Sequence, residues 1–215
     1  QSRSSAASDV YKRQILASQN KNKLKELSTI FQINSSKHSL LSPSGVLNVI
    51  EDKETIKENA EKKAIEYFEF YDLPVIADDS GLFVDALNGA PGVHSARFSG
   101  ENANDEKNND KLLDLLQNNS NRSATFKTVL CFYDGKEFMY TLGELNGEIL
   151  SSPRGENGFG YDPRFEVNGK TLAEMTLEEK SEISHRKNAT IKMVELLNEI
   201  SVSYTHLTLP TIYSV

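Results

Sequence analysis

The sequence predicts an α/β domain with a mixed β-sheet flanked by helices, and three observations carry this prediction. Short apolar segments typical of strands alternate along the chain with stretches whose apolar residues recur every three or four positions, as on one face of a helix. Two capping boxes, at residues 55–58 and 176–179, mark helix starts. The pair Asp134-Gly135 follows an alternating segment and indicates a hairpin, so part of the sheet is expected to be antiparallel.

The composition is typical of one globular domain with room for two lobes. Of the 215 residues, 38% are hydrophobic and 26% are charged, and the net charge is −7. These values exclude a wholly disordered chain, and they disfavour a nucleic-acid partner, which would require a basic stripe. No apolar run approaches the roughly 18 to 20 residues of a membrane span, and Cys131 has no second cysteine to pair with. We therefore expect a cytoplasmic protein that is neither secreted nor membrane-bound.

Both ends of the chain differ from the rest. Residues 1–14 are small and polar without periodicity, and residues 201–215 contain no Asp, Glu, Lys or Arg. Each end could be a floppy arm of the native protein, but both strings resemble translated sequencing adapters, and we favour that interpretation. We predict non-native or disordered tails at 1–14 and 201–215 and one folded domain at 15–200.

The first half of this domain alternates between strands and helices. A strand at 15–18 precedes a helix whose apolar residues recur from 24 to 31. The capping box at Thr55 opens a second helix with apolar residues from 60 to 71 on one side. A buried strand is expected at 74–77.

The second half continues the alternation. Leucines at 112–116 predict a helix, and the alternating segment 126–132 predicts the strand that ends at the hairpin. The capping box at Thr176 opens a short helix, and Ser184 is expected to cap the last one, on which apolar residues recur from 191 to 197.

A polar segment between the first strand and its helix is a candidate phosphate site. A helix start aims backbone N–H groups and the positive dipole end at anions, and two lysines add charge. The segment is not a Walker A loop, because the glycines and the Gly-Lys-Ser/Thr ending are missing. Such residues are also common at helix starts for structural reasons, so both interpretations stay open. The segment consists of Ser18, Gln19, Asn20, Lys21, Asn22 and Lys23.

Two adjacent carboxylates, Asp78 and Asp79, follow the apolar strand and are candidates for metal binding or acid–base chemistry. Neighbours on a strand point to opposite faces, so one can bind a metal while the other orients nearby groups. Asp-Asp-Ser-Gly would also suit a turn that ends the strand. We favour the chemical role, because burying two negative charges is costly without a cation. Glu51 and Asp52 are further oxygen donors, whereas Glu58 is assigned to its capping box.

Two later clusters are candidate ligand-binding segments, and the aromatic residues of the first suit a nucleobase. The glycines of segment 155–160 let the backbone approach a flat ligand, and Phe159 and Tyr161 offer aromatic faces, although such loops are usually simple turns. Lys180 and the run 184–186, Ser-His-Arg, can donate hydrogen bonds to carbonyl or phosphate oxygens. A His-Arg pair is more often a solvated helix start.

Together and in this order, these clusters resemble the inosine/xanthosine triphosphate pyrophosphatases, also called the Ham1/RdgB family of noncanonical purine nucleoside triphosphate diphosphatases. The resemblance is specific, because the matching blocks are long and collinear and span nearly all of residues 15–200. The blocks are Ser18-x-Asn20-x-x-Lys23-x-x-Glu26, Ala77-Asp-Asp-Ser-Gly-Leu82, Val84-Asp-Ala-Leu-x-Gly-Ala-Pro-Gly92, Ser95-Ala-Arg97, Pro153-Arg-Gly155, Gly158-Phe-Gly-Tyr-Asp-Pro163, Glu178-Glu-Lys180 and Ser184-His-Arg186.

The resemblance implies a Mg²⁺-dependent enzyme that hydrolyses ITP, dITP and XTP to the monophosphate and pyrophosphate. It also implies a homodimer and an elongated, two-lobed domain around the mixed sheet. Two other functions stay open: a Maf-type pyrimidine nucleotide pyrophosphatase and a non-catalytic nucleotide-binding protein. The blocks at 77–97 and 184–186 speak against the first, and intact Asp79 and Lys23 speak against the second.

The resemblance also implies residue roles, position by position. Asp79 would be the metal-linked general base, with Glu51 as the second metal carboxylate and Ser80 touching the substrate. Donors on His185 or Arg186 would favour a 6-oxo purine over adenine, since an unpaired buried donor is costly. The nucleotide pocket would be lined by Phe159, Gly160, Tyr161, Asp162, Lys180, His185 and Arg186.

The triphosphate would lie on segment 18–23. The chain departs from the family pattern in two loops. Residues 51–56 read Glu-Asp-Lys-Glu-Thr-Ile in place of Glu-Thr-Gly-x-Thr-Phe, and Asn22 stands where the family often has glycine.

Overall fold

The computed structural model describes residues 13–35, 37–45 and 47–207, with the backbone alone for 201–207. Its strands form an eight-stranded sheet in the order β2-β1-β3-β5-β6-β7-β8, with β4 paired to β3 outside this order. The strands are β1 (Arg13–Ala17), β2 (Ser39–Leu41), β3 (Val75–Val84), β4 (Pro91–Gly92), β5 (Ser123–Tyr133), β6 (Phe138–Ile149), β7 (Phe165–Val167) and β8 (Lys170–Thr171).

The sheet is mixed, as predicted. Strand β1 pairs in parallel with β2 and β3, whereas β3 with β5 and β5 with β6 are antiparallel. The predicted hairpin is the turn between β5 and β6, where Gly135 has a φ of 89°. That left-handed conformation is one that glycine adopts without steric cost.

The helices begin where the sequence signals place them. Thr55 and Thr176 each form a complete capping box, and the Ser184 hydroxyl accepts the backbone N–H of Lys187 at 3.0 Å. These bonds satisfy N–H groups that a helix start leaves without an intrahelical partner. The helices are α1 (Lys21–Asn34), α2 (Ile56–Tyr71), α3 (Asp105–Leu116), α4 (Leu177–Ile183) and α5 (His185–Leu207).

The element bounds differ from the predicted domain limits at both ends. Strand β1 begins at Arg13, inside the predicted N-terminal tail, and the backbone of α5 continues to Leu207, beyond the predicted limit at 200. Residues 1–12 and 208–215 of the two predicted tails lie outside the described residues. Among the helices described, none is long and apolar enough to cross a membrane.

Strand β3 is longer than the predicted strand 74–77, and this corrects the expectation that the two aspartates follow the strand end. Every residue from Val75 to Val84 pairs in register with β5, including Asp78 opposite Leu130 and Asp79 opposite Val129. The non-local ladder with β5 overrides the local turn preference of Asp-Asp-Ser-Gly. Both carboxylates therefore sit in the middle of a central strand.

The three hydrophobic clusters fall into two lobes, in agreement with the predicted fold class. Two clusters lie on opposite faces of the first half of β3, and the third lies at the far end of that strand. Helix α2 packs on one face of β1 and the first half of β3, while α1 and α5 pack on the opposite face. The third cluster joins α3, the end of β3 and β7. The segment Asp78–Gly81 of β3 lies between the clusters, where side chains from both lobes can meet.

Candidate active site

A cavity of about 170 Å³ lies at this junction, and most of the predicted site residues line it. Both lobes contribute to its walls. Residues of α1, of α5 and of the loop before α2 face the loop that follows β6. The predicted residues that line the cavity are Asn20, Lys23, Glu51, Asp79, Ser80, Phe159, Gly160, Tyr161, Asp162, His185 and Arg186.

The other predicted residues lie beside this cavity or away from it. Ser18 is buried at the end of β1, and the side-chain amide of Gln19 donates to the carbonyl of Leu47. Asn22 and Lys180 line a neighbouring groove, separated from the cavity by Phe159, which borders both. Lys21 is exposed and lines neither.

Within segment 18–23, Asn20 caps helix α1 and Lys23 lines the cavity. The side-chain oxygen Oδ1 of Asn20 accepts the backbone N–H groups of Asn22 and Lys23 at 3.0 and 3.2 Å. The structural interpretation therefore holds for Asn20, whose oxygen occupies N–H groups that could otherwise bind an anion. Lys23 supplies the charge of this segment at the cavity wall.

Asp78 points away from the cavity and anchors Lys23. Its side chain is fully buried, and its Oδ2 lies 3.0 Å from the Lys23 ammonium. Burial would raise the pKa of this carboxyl, but the positive charges of Lys23, Lys63 and Arg186 outweigh that effect and lower the pKa to about 2. Asp78 is thus ionised at neutral pH and suited to hold cations in place.

Asp79 points to the opposite face and lines the cavity, as the alternation of a strand requires. Its Oδ2 accepts the side-chain amide of Asn59 at 3.0 Å. Burial and the negative charge of Glu51 raise its pKa to about 6, although Lys23 and Lys63 oppose the rise. A carboxylate with this pKa is mostly ionised at neutral pH and accepts a proton far more readily than an exposed one.

Lys63 is a site residue that sequence reasoning missed. It is buried, and its ammonium donates to the Asp78 carbonyl at 2.7 Å and lies 2.5 Å from a Glu51 oxygen. Burial alone would lower its pKa, but Asp78, Glu51 and Asp79 raise it, so the ammonium stays charged. A signal existed, because this lysine falls on the buried face of α2 beside Ala64, where charged residues are rare without a partner.

Asn59 was also missed, and it ties the Glu51 loop to the candidate base. Its Oδ1 accepts the Lys53 backbone N–H at 2.9 Å, while its Nδ2 donates to Asp79. Both ends of this buried amide are therefore used. The contact couples the position of the loop before α2 to the carboxylate of Asp79.

Glu51 and Asp79 together fit a hard divalent cation. Both line the cavity, and the negative charge of Glu51 contributes to the raised pKa of Asp79, a repulsion that a cation would relieve. Oxygen donors of this kind suit Mg²⁺, which usually keeps several waters or takes substrate oxygens as its other ligands. Asp52 instead pairs with Lys62 at 2.9 Å, and Glu58 closes its capping box. Within the described residues, no group of three or more His, Cys, Asp or Glu forms a metal site.

His185 also lines the cavity and has unused capacity to bind a ligand. Its buried ring stacks on Phe126 with centroids 5.0 Å apart, and neither ring nitrogen has a hydrogen-bond partner among the described residues. Burial, Arg186 and Lys180 lower its pKa, so the ring is neutral, with one donor and one acceptor. Leaving such atoms unpaired is costly, and a bound base would pair them.

Arg186 and Lys180 flank Phe159, and each is partly committed to a carboxylate. An Arg186 nitrogen lies 3.1 Å from Glu26 of α1, while its Nε has no partner in the described chain. Lys180 pairs with Asp162 at 2.7 Å, and both cations lie over the Phe159 ring. Arg186 therefore has donor capacity left for a ligand, whereas Lys180 also fixes the loop that carries Asp162.

Comparisons with known proteins identify the family of this chain. The family model described as the Ham1 family matches residues 14–196. A dITP/XTP pyrophosphatase of Thermoanaerobacter sp. (strain X514) is 47% identical over 184 residues, which are 83% of this chain and 93% of the relative. The dITP/XTP pyrophosphatase of Geobacter sulfurreducens is 48% identical over 186 residues, 82% and 92% of the two chains.

Solved structures of Ham1 proteins resemble this chain as well. A HAM1 protein from Coxiella burnetii superposes with a TM-score of 0.80 at 38% identity, covering 87% of this chain and 98% of that one. The Ham1 protein of Staphylococcus aureus superposes with a TM-score of 0.78 at 39% identity, covering 88% and 100%. The chain therefore belongs to the Ham1 family.

Proposed function

We propose that this protein hydrolyses the noncanonical purine nucleoside triphosphates dITP, ITP and XTP to the monophosphate and pyrophosphate. The observation that carries the proposal is one cavity with two chemically different ends. Lys23, Glu51 and Asp79 suit a polyphosphate, and Phe159 and His185 suit a purine. Relatives named dITP/XTP pyrophosphatases support this substrate class.

The phosphate end supplies the chemistry of hydrolysis. Asp79 takes a proton from the attacking water, whose oxygen bonds to the α-phosphorus as the bond from that phosphorus to the bridging oxygen breaks. Lys23, held by Asp78, covers negative charge on the phosphates, and Lys63 positions Glu51 from behind the cavity wall. Glu51 and Asp79 would hold Mg²⁺, which when bound neutralises phosphate oxygens and lowers the pKa of water.

The base end supplies the selectivity. The neutral ring of His185 and the free Nε of Arg186 can donate hydrogen bonds to the 6-oxo group of hypoxanthine or xanthine. Adenine presents an amino donor at that position, so two donors would face each other without an acceptor. The purine would lie against the face of Phe159.

A nucleotide panel tests the proposal. With Mg²⁺ we expect dITP, ITP and XTP to release pyrophosphate and no orthophosphate, with kcat/KM about a hundredfold or more above that of dATP. Removing the metal with EDTA should abolish turnover. A preference for dTTP would point to a Maf-type enzyme, and binding of dITP without turnover would leave a nucleotide-binding protein; either result contradicts the proposal.

A variant of Arg186 tests base recognition. Arg186→Ala alone would leave Glu26 as an unpaired buried carboxylate, so we compare Arg186→Ala in a Glu26→Gln background with Glu26→Gln alone. The double variant should reduce the ratio of kcat/KM for dITP over dATP by about tenfold, since one good donor is lost. An unchanged ratio would remove Arg186 from base recognition.

The homodimer, the cytoplasmic location and the absence of a nucleic-acid partner are carried over as parts of this proposal. The same holds for a catalytic domain at 15–200. A molar mass from light scattering of about twice the 24.0 kDa chain would support the dimer.

A further inference from the structure

Two side chains of helix α3 hold the loop that carries Phe159, and both bind the backbone of Gly160. The Asp105 carboxylate accepts the backbone N–H of Gly160 at 2.7 Å, and the Asn109 amide donates to the Gly160 carbonyl at 2.9 Å. Both hydrogen-bonding groups of Gly160 are therefore held by side chains one helical turn apart. We call Asp105 and Asn109 the loop clamp.

The Gly160 peptide is held by these two side chains, while the backbone N–H of Phe159 also donates to Asp162 at 2.9 Å. The φ of Gly160 is 64°, and a Cβ placed on it would meet no described atom within 4 Å. An unpacked glycine has more conformational freedom than any other residue, and its neighbours Phe159 and Tyr161 both line the cavity. Small changes at Gly160 would therefore move the aromatic wall of the site.

The stability of α3 does not explain Asn109, although the Asp105 carboxylate also suits the first turn of the helix. Asn109 is buried, and its Oδ1 has no hydrogen-bond partner among the described residues. An apolar residue at this position would avoid that unpaired acceptor, so the amide is retained at a cost. What the amide provides is its bond to Gly160 and a second bond to the Asp105 carbonyl at 2.7 Å.

We propose that Asp105 and Asn109 are positioning residues for the purine-binding wall. They fix the Gly160 peptide, and through it the ring of Phe159, so they control affinity for the base half of the nucleotide and leave the phosphate half unchanged. This inference rests on the proposed function, because it assumes that the aromatic end of the cavity binds the purine.

The test compares Asp105→Ala and Asn109→Ala with the control Asn104→Ala. Asn104 caps the same helix by accepting the Lys107 N–H at 2.8 Å, and it makes no hydrogen bond to Gly160 in the described chain. We expect both clamp variants to raise KM for dITP about five- to tenfold with kcat within about twofold of wild type. The inhibition constant of tripolyphosphate, which lacks a base, should stay unchanged, and Asn104→Ala should leave KM unchanged.

Two further measurements separate positioning from other roles. Asp105→Asn keeps an acceptor oxygen and should restore KM to within about twofold of wild type, whereas a failed rescue would mean that the charge matters and would overturn the proposal. Hydrogen exchange without nucleotide should be at least about tenfold faster at the Gly160 amide in Asp105→Ala, and unchanged in Asn104→Ala.

The proposal is overturned by wild-type KM in both clamp variants, by an equal effect of Asn104→Ala, or by a parallel loss of tripolyphosphate affinity. If the wild-type protein released no pyrophosphate from dITP, the proposed function would fail instead. The exchange rates at Gly160 would then still decide whether the clamp exists, since they require no turnover.

Discussion

Replacing Asp79 by Asn should abolish turnover and at the same time stabilise the protein. We expect kcat for dITP to fall by about a thousandfold or more, since the base is lost. At pH 8 and without metal, the free energy of unfolding should rise by about 2–3 kcal/mol, because the folded state raises the pKa of Asp79 from 3.8 to about 6. The Asn side chain can still accept the bond from Asn59.

The difference in the free energy of unfolding between Asp79→Asn and wild type should depend on pH. A carboxyl whose pKa is raised by folding contributes its stability in the protonated form, which is present below about pH 4 and lost as the pH rises through 6. Urea unfolding of wild type and Asp79→Asn should therefore give equal stabilities near pH 4 and the full difference above pH 7. A variant that is no more stable than wild type at pH 8, or that retains turnover within tenfold, contradicts the assignment.

Replacing Asp78 by Asn should destabilise the protein, in contrast to Asp79→Asn. Asp78→Asn removes the buried charge that compensates Lys23 and Lys63, and we expect the free energy of unfolding at pH 7 to fall by about 2–4 kcal/mol. The pKa of Asp78 is lowered to about 2, so its contribution is present above about pH 4 and is lost as the pH falls through 2. KM for dITP should also rise, since Lys23 loses its anchor.

Urea unfolding of Asp78→Asn at pH 7 and pH 3 checks this expectation, and the difference from wild type should narrow at the lower pH. Asp114→Asn is the matched control, because that carboxylate is exposed on α3 and its loss should change stability by less than about 0.5 kcal/mol. If Asp78→Asn were as stable as wild type at pH 7, the Asp78 carboxylate would not stabilise the fold by compensating Lys23 and Lys63, and the prediction would be wrong.

Sequence reasoning succeeded where the signal is local. The capping boxes at Thr55 and Thr176 are closed by hydrogen bonds that span three residues, so both partners can be recognised from the sequence. The apolar periodicities likewise predicted which helix faces are buried, such as Leu27 and Phe31 on α1. Collinear motifs identified the family, because they preserve residue type and order together.

It failed where a long-range contact outweighs a local preference. The strand was predicted to end before Asp78, and only its pairing with β5 carries it through both aspartates. The contact of Arg186 with Glu26 joins residues 160 positions apart. Asn59 looked like an ordinary position on a helix, and the buried face of α2 marked Lys63 as needing a partner without identifying that partner. Their roles depend on which side chains the sheet places beside them, and no spacing rule gives that information.

The amino-acid order alone was enough to identify an acidic, mixed-sheet α/β domain of this family, because periodicity, capping and motif order are properties of neighbouring residues. Folding in three dimensions was needed to give two adjacent aspartates opposite environments, one held ionised by cations and the other driven toward protonation by burial and a second carboxylate. The reason is that a pKa depends on charges and solvent within a few ångströms, and at this site those charges come from α1, α2, α5 and the loop before α2 together.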